Sequence, residues 1–382
     1  MKVLFTTLRE PSHLLAITPF ISAFQRGGHE VAVAAPPDFG ERVTATGATF
    51  FAFGHPGEEG LKGTWARMRG MSTEELKQIA WGELFAGLCA GAAIPGLIET
   101  IERWKPSLVA SESHEFAGHV AAAKVGVRHI RVAICAEAAE HEIRSCAAPY
   151  VDAHRRSWGL PPDPDGEQIR KEGAVTLFPP SFDAKDPAGS PVLHFRVAQR
   201  EAAPLPDWWN GSNAPFVYMT LGTVAGRFEA IHATYRAMLD AIADQPVRAL
   251  LTVGSNLPLE ALGDVPANVH VARFVPQDDV IPHAAAVLCH GGSGTVLSVL
   301  AAGVPMVIVP QFADQPYNAE RVAALGSGIA LPLVNVGREA LGEAVSRVVR
   351  EASFRTAARA IADEIRALPL VDEVGSALEE RE

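Results

Sequence analysis

Cysteine is scarce in this 382-residue chain. Only Cys89, Cys135, Cys146 and Cys289 are present, and none forms a CxxC pair or a Cys/His cluster with zinc spacing. A disulfide scaffold and a zinc ribbon are thereby excluded, and a reduced, cytoplasmic protein is expected. Basic charge is also short. Lys and Arg total 33 against 44 Asp and Glu, a net charge of −11, and no block of Lys and Arg offsets that sign. Nucleic acid is therefore not expected as a partner. Long apolar runs are missing too. Val3–Phe5 is too short for the core of a signal peptide. The weakly polar stretch Phe85–Glu99 is broken by Pro95 and falls short of the ~20 residues a membrane span requires, so no stable membrane insertion is expected.

What is present is alternation. At roughly 100–200 residues per domain the length predicts two domains. Val3–Thr6, Glu30–Ala35, Ala48–Phe53, Ser107–Ala110 and His129–Ile134 read as strands, with helical spacing between them, as at Leu14, Ile17, Ile21 and Phe24. From Ala147 to Trp209 proline becomes dense, which is linker chemistry. Strand–helix alternation then resumes at Phe216–Leu221, Arg248–Val253, Val269–Val271, Ala286–Cys289 and Met306–Val309. The expected class is α/β, with two halves of one architecture. The segment from His55 to about Glu83 shows no clear strand and reads as a long irregular insertion. Asn210-Gly211-Ser212 matches a glycosylation sequon but reads as a loop.

The sharpest motif is Cys289-His-Gly-Gly-Ser-Gly-Thr295, which follows an apolar strand and opens a helix. Glycines let the backbone approach a ligand closely, and free N–H groups at a helix start attract anions. It is neither the GxxxxGK[ST] loop nor GxGxxG. Phe274-Val-Pro-Gln277 lies upstream, and Pro310-Gln-Phe-Ala-Asp-Gln315 with Asn318 lies downstream. Phe274, His290 and Pro310 all stand at strand ends, where open parallel sheets bind ligands. An aromatic for a base, a helix start for a diphosphate and an Asp-Gln pair for sugar hydroxyls together point to a nucleotide-sugar.

The Phe274–Asn318 segment resembles the donor-binding signature of the GT-B glycosyltransferases that decorate bacterial antibiotics and plant secondary metabolites, the bacterial branch most closely. The Phe195-Arg196…Leu205-Pro-Asp-Trp208 stretch and Val217-Tyr-Met-Thr-Leu-Gly-Thr223 carry further likeness. The resemblance implies two Rossmann-like domains facing each other across a cleft. It assigns residues 1–204 to the acceptor, 205–369 to the nucleotide-sugar and 370–382 to a helix crossing back to the first domain. By the same resemblance Phe274 stacks on the base and Val275 pairs with it through its backbone. Thr223, His290, Ser293, Gly294 and Thr295, with Gln277 and Gly292 beside them, cradle the nucleotide. Asp314 and Gln315 read the hexose. Where the plant-type signature has a ribose-binding Glu, this chain has Ser298, which favours dTDP over UDP.

Transfer to a hydroxyl needs a base, and histidine suits that task near neutral pH. His13, read as lying in the loop after the first strand and six residues before Pro19, matches the family's base. Glu112 is the expected carboxylate behind it, with Glu10 a local competitor. His114 and His119 are alternatives for acceptor contact. Asp163-Pro-Asp165 has metal-binding spacing but reads as a turn, and no metal or other cofactor is expected. The resemblance implies an inverting hexosyltransferase acting on a small hydrophobic acceptor, as monomer or homodimer. A C-glycosyltransferase, a nucleotide-sugar epimerase, a peptidoglycan N-acetylglucosaminyl transferase and a non-catalytic partner of the same fold remain alternatives.

Overall fold

The computed structural model describes residues 1–68, 71, 73–183, 191–209, 211–223, 226, 228–332 and 336–380. The sequon's Asn210 and Pro187 of the proline-dense stretch lie outside them. The chain divides into two compact units, Met1–Val197 with Pro369–Glu382, and Ala198–Leu368. The first division falls before, not after, residues 198–204. The Gln199 amide donates to Ala301 O at 2.6 Å and the Ala203 N–H to Asp279 at 2.9 Å, so this stretch is tied to the second unit. At the other end, Arg196 N donates to Pro369 O, and Arg26 pairs with Asp372 at 2.6 Å, which fixes the terminal segment on unit 1.

Unit 1 contains a parallel sheet of seven strands among the described residues, in the order β3-β2-β1-β4-β5-β6-β7. The strands are β1 (Lys2–Thr6), β2 (Glu30–Ala35), β3 (Thr49–Ala52), β4 (Leu108–Glu112), β5 (Arg128–Ala133), β6 (Ala174–Thr176) and β7 (Val192–His194). Val3, Leu4, Phe5 and Val109 are fully buried, as expected when helices cover both faces of a parallel sheet. Chain order reverses between β1 and β4, so that pair is the switch point beyond whose carboxyl ends a crevice opens.

Unit 2 repeats the plan. Its six parallel strands run β10-β9-β8-β11-β12-β13, with β8 (Phe216–Thr220), β9 (Arg248–Thr252), β10 (Val269–Ala272), β11 (Ala286–Cys289), β12 (Met306–Ile308) and β13 (Gly328–Ala330). Here the reversal lies between β8 and β11. Together the two units are the pair of Rossmann-like domains of the GT-B fold.

Three expectations are corrected. The proline-dense stretch is not all linker. It carries the end of the Glu137–Ser157 helix and strands β6 and β7, which complete the first sheet. These strands have three residues each, too short for a visible alternation. The segment after His55 is helical, not irregular, over Gly57–Arg67, Thr73–Lys77 and Gln78–Cys89. The last of these has π-helical spacing, so its apolar residues do not recur at 3.6. Gly82 and Gly87 leave room there for the Tyr150 ring, which would meet a Cβ at 2.8 and 3.0 Å. Finally, the helical run Glu74–Trp104 spans 31 residues and is long and apolar enough, by length and composition, to cross a membrane. The Phe85–Glu99 stretch is thus part of a longer helix that continues through Pro95 rather than breaking there. Half of its apolar window is buried, and Ile94, Leu97 and Ile101 lie in the unit 1 core.

Candidate active site

In unit 1 the chemistry gathers at the β1/β4 switch point. His13 lies in the first turn of the Pro11–Arg26 helix, not in a loop. Glu10 has extended backbone and Pro11 is pre-set for a first helical position, so the helix starts two residues before the histidine. Glu112 is the last residue of β4 and is 1% exposed. His13 Nδ1 donates to Glu112 Oε1 at 3.0 Å. The same carboxylate accepts the backbone N–H of Leu8 at 3.3 Å and of His114 at 2.8 Å. Burial alone would raise the Glu112 carboxyl, but the His13 and His114 imidazoles hold it well below the usual carboxylate range. An ionised carboxylate only accepts, so Nδ1 of His13 carries the proton in this contact. Glu10, the competitor, is not the partner of His13 in this contact.

His114, expected as an alternative for acceptor contact, lies against His13 itself. Its ring stacks on His13 at 4.8 Å between centroids, and its Nδ1 lies 3.5 Å from Glu112 Oε2. Phe85 closes the other side edge-on at 5.6 Å. His119 is not beside His13. It faces the interior, where its Nδ1 donates to Glu172 at 2.9 Å. Asp163 accepts the N–H groups of Glu167 and Gln168 at 2.8 and 3.0 Å, so it caps the short Glu167–Lys171 helix.

In unit 2 the motif residues collect along one sheet edge. Parallel strands bring the ends of β8, β10, β11 and β12 to that edge, carrying Thr223, Phe274, His290 and the Pro310–Gln315 loop. Phe274 is 72% exposed, an unusual state for a large aromatic, and Val275 follows it. The Ser293–Ala301 helix starts after Gly292, which has extended backbone. A Cβ on Gly294 would meet nothing within 4 Å, so the space above the helix start is open. A Cβ on Gly222 or Gly292 would lie 2.8 or 2.6 Å from His290 Nε2, so those two glycines make room for that ring. Burial pushes His290 down to about 4, which keeps it a neutral imidazole. Gln277 donates to Thr295 Oγ1 at 3.3 Å.

Asp314 and Gln315 are both engaged. Asp314 Oδ2 accepts Ser293 N at 3.2 Å, Ser293 Oγ at 2.5 Å and the Asn318 amide at 2.9 Å. The carboxylate thus stands as the anion at the helix start. Ala313 before it has a φ of 57°, a left-handed conformation that non-glycine residues seldom adopt. Gln315 Oε1 accepts Gln311 N at 2.7 Å and Phe312 N at 3.1 Å, bracing the loop. Asn318 completes the brace by donating to Gly291 O at 2.8 Å.

Among the described residues of unit 1, two side-chain groups have the donor types and spacing to hold a cation, His13–Glu112–His114 and His119–His129–Glu172.

Residues 22–222 match the family described as erythromycin biosynthesis protein CIII-like, N-terminal domain, and residues 236–381 match its C-terminal domain. The chain is 27% identical to 3-alpha-mycarosylerythronolide B desosaminyl transferase of Saccharopolyspora erythraea, covering 100% of this chain and 98% of that protein. It is 30% identical to L-demethylnoviosyl transferase of Streptomyces niveus, covering 100% and 99%. Among solved structures, glycosyltransferase VinC in complex with dTDP superposes with a TM-score of 0.77 at 26% identity, covering 100% of this chain and 99% of that one.

Proposed function

Because the chain belongs to the erythromycin CIII-like family and is a glycosyltransferase, we propose that it moves a sugar from a nucleoside diphosphate to a hydroxyl of a small apolar natural product, with inversion. His13 is the base. Its Nε2 takes the acceptor proton while the buried Glu112 carboxylate stabilises the imidazolium that forms. The freed oxygen forms a bond to the anomeric carbon as the bond from that carbon to the diphosphate oxygen breaks. The contact between His13 and Glu112 carries this reading.

The donor belongs to unit 2. Phe274 offers an exposed face to the base, and Val275 a backbone partner. The N–H groups and hydroxyls at the start of the Ser293–Ala301 helix, with Thr223 and Thr295, take the diphosphate and its developing charge. Asp314 now occupies that helix start, so the incoming diphosphate displaces its carboxylate from Ser293. Asp314 is then free to bind sugar hydroxyls, which couples diphosphate binding to sugar recognition. The helix start and neutral donors do the electrostatic work, so the transfer step itself requires no metal.

Ser298 favours dTDP, whose deoxyribose needs one hydroxyl contact fewer, and the similar VinC structure holds dTDP. A cytoplasmic setting fits the four buried free cysteines. Titration of the protein with dTDP and with UDP tests the donor assignment, and clearly tighter UDP binding would overturn it. Turnover of a dTDP-sugar on aromatic and macrolide acceptors tests the activity, and His13→Ala should abolish transfer while dTDP still binds.

A further inference from the structure

A second group of ligating side chains lies inside unit 1 and has no part in the proposed transfer. His119 projects from the Ala117–Val125 helix, His129 from β5, and Glu172 from the turn between the Glu167–Lys171 helix and β6. His119 Nδ1 lies 2.9 Å from Glu172 Oε1, and His129 Nδ1 also contacts that oxygen. The two rings stand nearly perpendicular, at 87°, with centroids 5.6 Å apart. Three ligand atoms from three separate elements thus converge to within 4.8 Å of one another. His119 is 9% exposed, and its Nε2 has no hydrogen-bond partner among the described residues.

We propose that His119, His129 and Glu172 form a structural site for a divalent transition-metal ion of the zinc class. Two imidazole nitrogens and one carboxylate oxygen suit zinc, cobalt or nickel and do not suit magnesium or calcium, which take oxygen ligands. A cavity of about 20 Å³ adjoins the three residues and Ser111. That is room for one water, the fourth ligand of a tetrahedral ion. His129 also has the outer contact that orients a metal-binding imidazole, since its Nε2 lies 2.8 Å from Ser111 Oγ. Ser111 is held in turn by the Thr6 hydroxyl at 2.7 Å.

Charge is compatible with a cation. Arg131 and Arg144 line the same cavity, yet they face Glu137 and Glu140 at distances from 2.5 to 3.8 Å. An ion here would pin the Glu167–Lys171 turn and β6 to the sheet. Its effect is on stability, and it leaves the transfer step metal-independent.

The test is titration of chelator-treated, full-length protein with Co²⁺, read by its visible absorption, and with Zn²⁺, read by calorimetry and thermal unfolding. One equivalent should bind and raise the unfolding midpoint. Glu172→Gln should abolish saturable binding, and should that variant not fold, His119→Gln decides by the same readout. Ser111→Ala, which removes only the hydroxyl behind His129, should weaken binding about tenfold with an unchanged circular dichroism spectrum. His13→Ala should leave the stoichiometry unchanged, which separates this site from the His13–Glu112–His114 group. Absence of saturable binding in the wild-type protein would overturn the proposal. So would loss of binding in His13→Ala with retention in Glu172→Gln or His119→Gln.

Discussion

The two units share one architecture and solve opposite electrostatic problems. Unit 1 buries ionisable groups: Glu112 under His13 and His114 at its switch point and, elsewhere in the unit, Glu172 under His119 and His129, and Arg131 and Arg144 against Glu137 and Glu140. At the corresponding switch point in unit 2 the chain presents neutral donors. These are backbone N–H groups, hydroxyls, amides and a histidine kept neutral by burial. Proton transfer needs a group whose charge can change, whereas an anion that is already charged needs only fixed donors. In the proposed reading the net charge of −11 is no obstacle to a diphosphate, because fixed donors and not net charge would hold it.

This contrast breaks most sharply at His13. His13→Ala should lower the transfer rate by about 10²–10⁴-fold while dTDP affinity stays within twofold of wild type. A parallel loss of dTDP binding would mean that unit 1 also holds the nucleotide. The converse is Gly294→Val. Its Cβ meets no protein atom within 4 Å, so the fold should be preserved while dTDP affinity falls by about tenfold or more. Retained affinity in a calorimetric titration would move the diphosphate away from this helix start.

The third effect is on stability and belongs to unit 1 alone. Burial pushes the Asp183 carboxyl up to about 7, so the folded protein favours its protonated form. Its stabilising effect is complete below the unfolded value of about 4 and is lost as pH rises through about 7. Asp183→Asn should therefore stabilise the protein at pH 8 by up to about 4 kcal/mol and leave it unchanged near pH 4, as read by urea unfolding. Glu112 and Glu172 run the other way. Their contribution is present above the ordinary carboxylate value and lost as pH falls toward their lower folded values. The smallest effect is expected in unit 2. With His290 near 4, dTDP-glucose affinity should be flat between about pH 5 and pH 8. A marked rise on acidification would show that His290 binds as a cation.

The candidate donor residues of unit 2 were readable in the sequence because, Thr223 apart, they lie within one stretch of chain. The Gly-rich helix start after β11, the exposed Phe274 and the Asp314 loop all fall between residues 274 and 318. Unit 1 was legible only in outline. The contact of His13 with Glu112 spans 99 positions, and that of His129 with Glu172 spans 43. Neither leaves a local pattern, and Glu112 was reached only through its place after a strand, where the resemblance implies an acid. His114 was named for acceptor contact from the same strand end, but its stacking on His13 left no trace in the sequence. The π-helical spacing of Gln78–Cys89 and the three-residue strands β6 and β7 hid for a different reason. They carry no period that a sequence window can register. Asp314 was expected to read the sugar, but its contact with Ser293 follows from the fold of the loop around Ala313.

The central claim is that His13 and Glu112 act as one base. Transfer rates of His13→Ala, Glu112→Gln and the double variant, measured at saturating dTDP-sugar, test it most directly. If Glu112 works through His13, the double variant transfers no more slowly than His13→Ala alone. Losses that multiply would show that the two side chains act independently and would contradict it.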